Sequence, residues 1–573
     1  MKQKTTVERR NEGAMTRCVR VVPFAVVILM TVTCTRSVPL DAGLAVKSIT
    51  DQNLARDVTV LASDEYEGRK PGTRGEDLTV AYLEKRFREI GLVPGNPNGS
   101  FVQPVPLLGI VSTPSATVNI RGRKTALRSP DDFVARSLLN QDHTAVVESD
   151  VVFAGFGIEA PEYDWSDYEG VDVKGKTLLV LLGEPSRQAP ADSAASDPSF
   201  FKGVEQTYYG TTRSKRDLAF KKGASAIVFL YGIAAPTAYQ TTAPNYLTEA
   251  LTIDDGQPTM PVQAAMPAER VRPLVAMAGS DLDTLAQRAQ QRGFRATPLD
   301  MTMSFDIVMQ RRTIQSQNVI GRLEGSDPRL RNEYLIFSAH WDGFGRDPSV
   351  SGDQISNGAI DDAGGVAQML AIASALRTLP RSPRRTILFL ATTAEEAGFL
   401  GAHYYTSNPL YPLERTLANV NFDNFYAYGR TADVINYGDG RSTLDDILRD
   451  VLTTQSRRVV PDPFPAEGFF FRMDHFEFAE VGVPAVSPSM GVDVIGKPPG
   501  FGKQQVDQYY ARDYHLPSDE VRPDWDYGGA VQDAQMGLLV GIRVAEADVW
   551  PQWKPGAEFK ARRDKMLAGK TGN

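Results

Sequence analysis

Cysteine is almost missing from this 573-residue chain: Cys18 and Cys34 are the only two. Both lie in the first 34 residues, so a mature protein cut after them has no disulfide. Its stability must then come from packed cores and bound metal. Clustered positive charge is lacking as well. The chain has 62 Lys and Arg against 70 Asp and Glu, a formal charge of −8. That balance argues against nucleic acid as a partner, because neutralising phosphates needs basic clusters. Hydrophobic content of 42% and charged content of 23% point away from wholesale disorder and from a multispanning membrane protein. At this length two or three domains are expected rather than one core.

The segment MTRCVRVVPFAVVILMTVTC (15–34) carries Arg17 and Arg20, then an apolar core from Val21 to Val32, then small residues and Cys34. This is the pattern of an export signal, and the core is short for a membrane span. A lipoprotein signal would lipidate Cys34 and tether the chain to a membrane, although Thr31-Val32-Thr33 departs from the usual small-residue box. Simple cleavage and a retained anchor are the other readings. The protein is thus expected outside the cytoplasm: periplasmic, at the cell surface as a lipoprotein, or secreted. Residues 1–34 hold six Lys and Arg against two Asp and Glu, so their removal takes the charge from −8 to −12.

The remainder reads as one domain interrupted by another. Within 46–110, Val80, Leu83, Phe87 and Ile90 recur at helical spacing, and Gly91 and Pro94 stop that helix. From 111 to 310 the texture changes to short strand-like runs, DVVFAGFGI (150–158), KTLLVLLGE (176–184) and AIVFLYG (226–232), around a helical RSKRDLAFKKGA (213–224). This insert has one histidine, His143, and no constellation for chemistry. From 311 to 550 strand and helix alternate. YLIFSA (334–339) and TILFLATT (386–393) are near-continuous apolar runs, as in central strands covered on both faces. Between them Val366, Met369, Leu370, Ala373 and Leu376 share one helical face. Strand, helix, strand implies a right-handed crossover in a largely parallel sheet. The fold class expected is therefore α/β, a mixed, mostly parallel sheet flanked by helices, with a smaller β-rich insert. Residues 551–573 read as a charged C-terminal tail.

In such sheets ligands collect beyond the carboxyl ends of the strands, and there this chain concentrates metal-seeking side chains. His340 and Asp342 follow the first strand in SAHWDG. Asp361 and Asp362 open the helix in GAIDDAGG. Glu395 and Glu396 follow the next strand in TTAEEAGFLGA, Asp423 sits in NVNFDN, and His515 lies in DYHLPSDE. Imidazoles and carboxylates together suit a divalent metal, above all zinc. Two such ions would need a bridging carboxylate. Any one of these residues alone reads more plainly as a cap or a surface group, and Asp361 would cap the following helix; it is their order and context that point to a site. Of the other histidines, His403 reads as a helix-surface or packing residue, His143 as a loop residue, and His475 as structural support or a cleft wall.

Taken together, HWD, GAIDDAGG, TTAEEAGFLGA, NFDN and YHLPSDE resemble the motifs of the co-catalytic zinc aminopeptidase family, whose relatives include glutamate carboxypeptidases and, without catalysis, transferrin receptors. The resemblance implies a phosphorylase/hydrolase-like fold and two zinc ions held by His340, Asp361, Glu396, Asp423 and His515, with Asp361 bridging and its peptide bond to Asp362 cis. It implies Glu395 as general base and Asp342 as the residue orienting His340. Tyr514 would help hold the oxyanion. The substrate implied is a peptide, cleaved by an exported exopeptidase of aminopeptidase type. The 111–310 insert resembles a protease-associated (PA) domain. Three departures stand out. Gly364 occupies the Ser position of the frequent Asp-Asn-Ala-Ser-Gly, Asn424 stands where Met is frequent, and Met473 replaces the Ser of Ser-Asp-His. Two alternatives stay open at this stage: a single-zinc glutaminyl cyclase-like enzyme, which His340 disfavours, and a non-catalytic receptor-like protein.

Overall fold

Two very long strands organise the chain. Val102–Ile120 and Thr297–Leu323 run antiparallel in continuous register from Val102 opposite Val319 to Asn119 opposite Thr302. Both cross the boundaries read near 110 and 310, so the insert leaves and re-enters through one two-stranded ribbon. The computed structural model describes residues 40–185, 200–233, 238–423 and 425–569. The signal segment 1–34 with Cys18 and Cys34, and Asn424, lie outside the described residues. No helix among the described residues is long and apolar enough to cross a membrane.

At one end of the ribbon, Thr297–Leu323 pairs antiparallel with Thr386–Thr392. That strand runs parallel to Tyr334–His340, which in turn runs parallel to Thr416–Asn421, and the latter to Ala485–Val486. The apolar runs are buried along their whole lengths, as a parallel sheet covered on both faces requires. The crossover helix Gly364–Arg377 differs from its one-faced expectation. Besides Val366, Met369, Leu370, Ala373 and Leu376 it also buries Ala367, Gln368, Ala371, Ile372 and Ala375. It lies between the sheet and the outer helices Asp51–Leu61 and Gly528–Glu546, which explains its nearly unbroken apolarity.

At the other end of the ribbon, along the same edge of Thr297–Leu323, the sheet continues into the insert through His143–Phe153, then parallel strands Thr177–Leu181, Ala226–Tyr231 and Val262–Pro267. Phe153, Leu181, Val228, Met266 and Phe305 belong to this region's own core. The segment read as a charged tail carries the helix Lys560–Ala568 and buries Trp553 and Phe559, and the Trp553 indole donates to Gly482 O at 2.9 Å.

Candidate active site at the strand ends

Parallel register brings the chemistry together. His340 ends its strand level with Thr392, and Asn421 is level with Ser338. The chain segments carrying His340, Glu395–Glu396 and Asp423 therefore leave the sheet side by side. After Thr392 the backbone turns sharply. Ala394 takes a left-handed φ of 52°, and Glu395 O accepts from both Gly398 N and Phe399 N at 2.8 Å. A turn, unlike a strand, need not send neighbouring side chains to opposite faces. Glu395 comes within 4.0 Å of His340 Nε2, while Glu396 Oε2 lies 3.3 Å from His515 Nε2.

Asp361 stands between the two histidines. Its Oδ1 is 3.1 Å from His340 Nε2 and its Oδ2 is 3.4 Å from His515 Nε2. The Asp361–Asp362 peptide is cis. Ligand atoms of His340, Asp361 and Glu396 lie within 4.8 Å of one another. Asp423 is buried and lines a small cleft with Asp361 and Glu395. Across that cleft stand Phe469, Met473, Tyr510 and Tyr514, with Arg472 at the same wall. The Tyr514 ring stacks on His515, centroids 3.6 Å apart.

Several supporting residues act through backbone. His340 Nδ1 faces Asp342 O at 3.2 Å, and the Asp342 carboxylate is farther, at 3.7 Å. That carboxylate instead accepts from Glu395 N and Glu396 N. Asp362 accepts from His340 N at 3.3 Å and from Gly365 N at 2.8 Å, tying strand end to helix start. Two residues passed over in the sequence complete the frame. Asp519, at the end of the YHLPSDE motif, accepts from Ile360 N and from Asp361 N at 3.2 Å. Arg69 is buried, and its guanidinium donates to Trp341 O, Leu61 O, Asn357 O and Gly358 O. Asp519 was detectable from its place in a motif; Arg69 carried no local signal.

The electrostatics follow from crowding acids in a dry place. Burial pushes Glu395 well above the usual carboxylate range, and Asp423 and Glu396 add to this against the pull of His340. Glu396 is raised for the same reason, with Asp361 the next contributor. Burial would raise Asp361 too, but the two imidazoles beside it, His340 first and then His515, outweigh that and hold it low. So many buried carboxylates call for a compensating cation. His515 Nε2 is buried without a hydrogen-bond partner among the described residues, and it faces two carboxylate oxygens. Imidazole and carboxylate donors in this set fit zinc.

The insert reaches this wall. Gln206 N donates to Pro465 O at 3.0 Å, Tyr208 packs on Phe471 and Phe476, and Arg213 pairs with Glu477 and Glu480. His403 sits on the helix Leu400–Ser407 with Nδ1 2.9 Å from Glu477 Oε2, a packing role. His475 is fully buried edge-on to Phe470 at 4.8 Å, and burial pushes it down to about 3. It is thus a neutral core residue, not part of the cleft lining. Its neighbour Asp474 accepts from Thr392 Oγ1. His143 is on the strand His143–Phe153, exposed beside Asp306.

Residues 318–539 match the family model described as Peptidase family M28. This segment is similar to the M28 peptidases. Aminopeptidase NAALADL1 of Mus musculus is 34% identical over 114 residues, 19% of this chain and 13% of the relative. A vacuolar membrane protease of Candida albicans is 38% identical over 96 residues, 17% of this chain and 10% of that protein. The chain thus spans a small part of the length of these relatives. Among solved structures, an aminopeptidase from Aneurinibacillus sp. strain AM-1 is similar at 17% identity and a TM-score of 0.46, over 88% of this chain and 96% of that one.

Proposed function

We propose that the protein is an exported zinc-dependent aminopeptidase, with His340, Asp361, Glu396, Asp423 and His515 as the residues that would hold two zinc ions. The observation that carries this reading is Asp361, which offers one carboxylate oxygen to each of two histidines, with the adjacent glutamates Glu395 and Glu396 beside them. Zinc, when bound, supplies Lewis-acid polarisation and a nucleophilic water at neutral pH.

The chain's own groups do the rest. Glu395 is a metal-free carboxylate in this scheme; it takes a proton from the attacking water and returns it to the leaving amine. Asp342 holds the turn that carries it. The Tyr514 phenol is kept protonated by burial, next by the charge of Asp361. Tyr514 lines the cleft together with Arg472. Its own proton stays available for a developing oxyanion. The acidic end of the cleft attracts a free amino terminus, and the insert, through Gln206, Tyr208 and Arg213, braces the wall that faces it. The 1–34 segment would direct export, and Cys34 would supply a lipid anchor if the signal is of the lipoprotein type.

The test is a panel of free and N-acetylated peptides assayed with the zinc content measured. Cleavage of free peptides alone, lost on chelation and restored by zinc at two ions per chain, is expected. Removal of C-terminal residues from N-acetylated peptides would overturn the aminopeptidase mode, and full activity with one ion would favour the single-zinc alternative.

A further inference from the structure

Among the described residues lining the cleft, Asp361, Glu395 and Asp423 are acidic and Arg472 is the one cation. Its setting differs from that of the other arginines near the site. Arg69 is enclosed by carbonyl oxygens, and Arg213 is locked to Glu477 and Glu480. The Arg472 side chain is instead 41% exposed, and its nearest carboxylate, Glu467, is 3.7 Å away and 60% exposed itself. An ion pair of that kind holds a guanidinium only weakly. What fixes Arg472 is neutral: its guanidinium lies over the Phe469 ring at 5.0 Å, beside Tyr514 in the cleft wall. A guanidinium has five donors in a planar fork, and these contacts leave several of them for a ligand.

We infer that Arg472 is the anchor for a carboxylate of the substrate, deepening the peptidase reading above and resting on it. A cation placed opposite three carboxylates gives the cleft a dipolar pattern, acidic at one end and basic at the other. A zwitterionic short peptide matches that pattern, its ammonium toward the acids and its carboxylate on Arg472. The same chemistry is offered by the C-terminal carboxylate of a di- or tripeptide and by an acidic side chain of a longer one. Arg472 thus selects for substrates that carry a carboxylate and is a specificity residue rather than a participant in bond cleavage.

The experiment compares the zinc-supplied full chain with Arg472→Gln and Arg472→Lys on three peptides: Leu-Ala, Leu-Ala amide and Leu-Glu amide. The wild type is expected to favour Leu-Ala over its amide by roughly 10- to 100-fold in kcat/KM, the range for hydrogen bonds to a charged group. Arg472→Gln should erase that ratio, and Arg472→Lys should keep part of it. A preference for Leu-Glu amide over Leu-Ala amide that vanishes in Arg472→Gln would also support the carboxylate anchor, with the side chain as its source. Loss of activity by the same factor on all three peptides, or no change of the ratios, overturns the proposal. A wild type that cleaves none of them sinks the peptidase reading instead. Calorimetric titration of the same uncleaved peptides then decides the anchor, through a Kd ratio that Arg472→Gln removes or leaves intact.

Discussion

The carboxylate of Asp342 holds the backbone of Glu395, accepting its amide at 2.9 Å and that of Glu396 at 3.4 Å. The link between Asp342 and His340 runs chiefly through the Asp342 carbonyl, at 3.2 Å. The two contacts can be separated. Asp342→Asn keeps the carbonyl, but its side chain offers one oxygen and one NH2 group where two amides need acceptors. The expected result is a fall in activity of roughly 10- to 100-fold, as for outer-shell changes at metal centres, with the fold retained. Measuring kcat beside the melting temperature checks it, and an unchanged kcat would remove Asp342 from the frame of the site.

The two adjacent glutamates should divide labour. Glu395→Gln has the same volume and loses no proposed ligand, so metal content should stay while kcat falls by roughly 10²- to 10⁴-fold. Glu396→Gln replaces a carboxylate with a weaker neutral donor. It should lose metal, and excess zinc should restore part of its activity. Metal analysis alongside kcat for both variants decides the matter; metal loss in Glu395→Gln would reverse the roles.

Glu76 links the first helix region to the strand behind the site. Its carboxyl accepts from Gly72 N at 2.5 Å and from Ser316 Oγ at 2.8 Å. Burial pushes it up to about 7, with Asp77 and Asp342 adding to the shift and its two hydrogen bonds opposing it. An acid raised on folding binds its proton more tightly in the folded chain. Its contribution is therefore favourable at low pH and declines as pH rises from about 4.5 to about 7, by about 3 kcal/mol in all. Glu76→Gln should flatten that part of the pH–stability profile, so the variant gains on the wild type between pH 5 and 8. Parallel thermal melts across that range test it, and a constant difference between the two curves would refute it.

Much of the candidate site is legible because metal and proton chemistry, as proposed, restrict residue type. His340, Asp361, Glu395, Glu396, Asp423 and His515 stand out in the sequence as polar groups at strand ends and helix starts, where an apolar pattern stops abruptly. The turn at Ala394 explains how neighbours such as Glu395 and Glu396 serve one cleft. What was not legible depends on contacts between distant positions that leave no local pattern. Arg69 meets Trp341 O across 272 positions and Asp519 meets Asp361 N across 158. An arginine after a glycine reads as a solvated surface group until the chain is folded, and the place of Asp519 in a motif does not say which backbone amides it holds. The crossover helix was read as one-faced because helical periodicity picks out its largest residues. Its alanines turned out to be buried as well, under two outer helices that the periodicity of one segment cannot reveal.

Gly364 shows how a departure from a motif can be compensated elsewhere. The related pattern has Ser at this position, but a Cβ added here would fall inside the ring of Phe425. Phe425 itself packs against Tyr527, rings 5.8 Å apart and nearly parallel, and edge-on to Trp525 at 5.5 Å. The small residue therefore makes room for an aromatic cluster two residues beyond Asp423, at the base of the site. Gly364→Ser should cost about 1 to 3 kcal/mol, the usual penalty for overpacking a dense core. The origin of that cost is checked by combination. Phe425→Ala vacates the same space, so adding Gly364→Ser to it should lower the melting temperature much less than adding it to the wild type, a coupling expected only of groups in contact. If the two changes are additive, the glycine is there for its backbone and the Phe425 ring is not its cause.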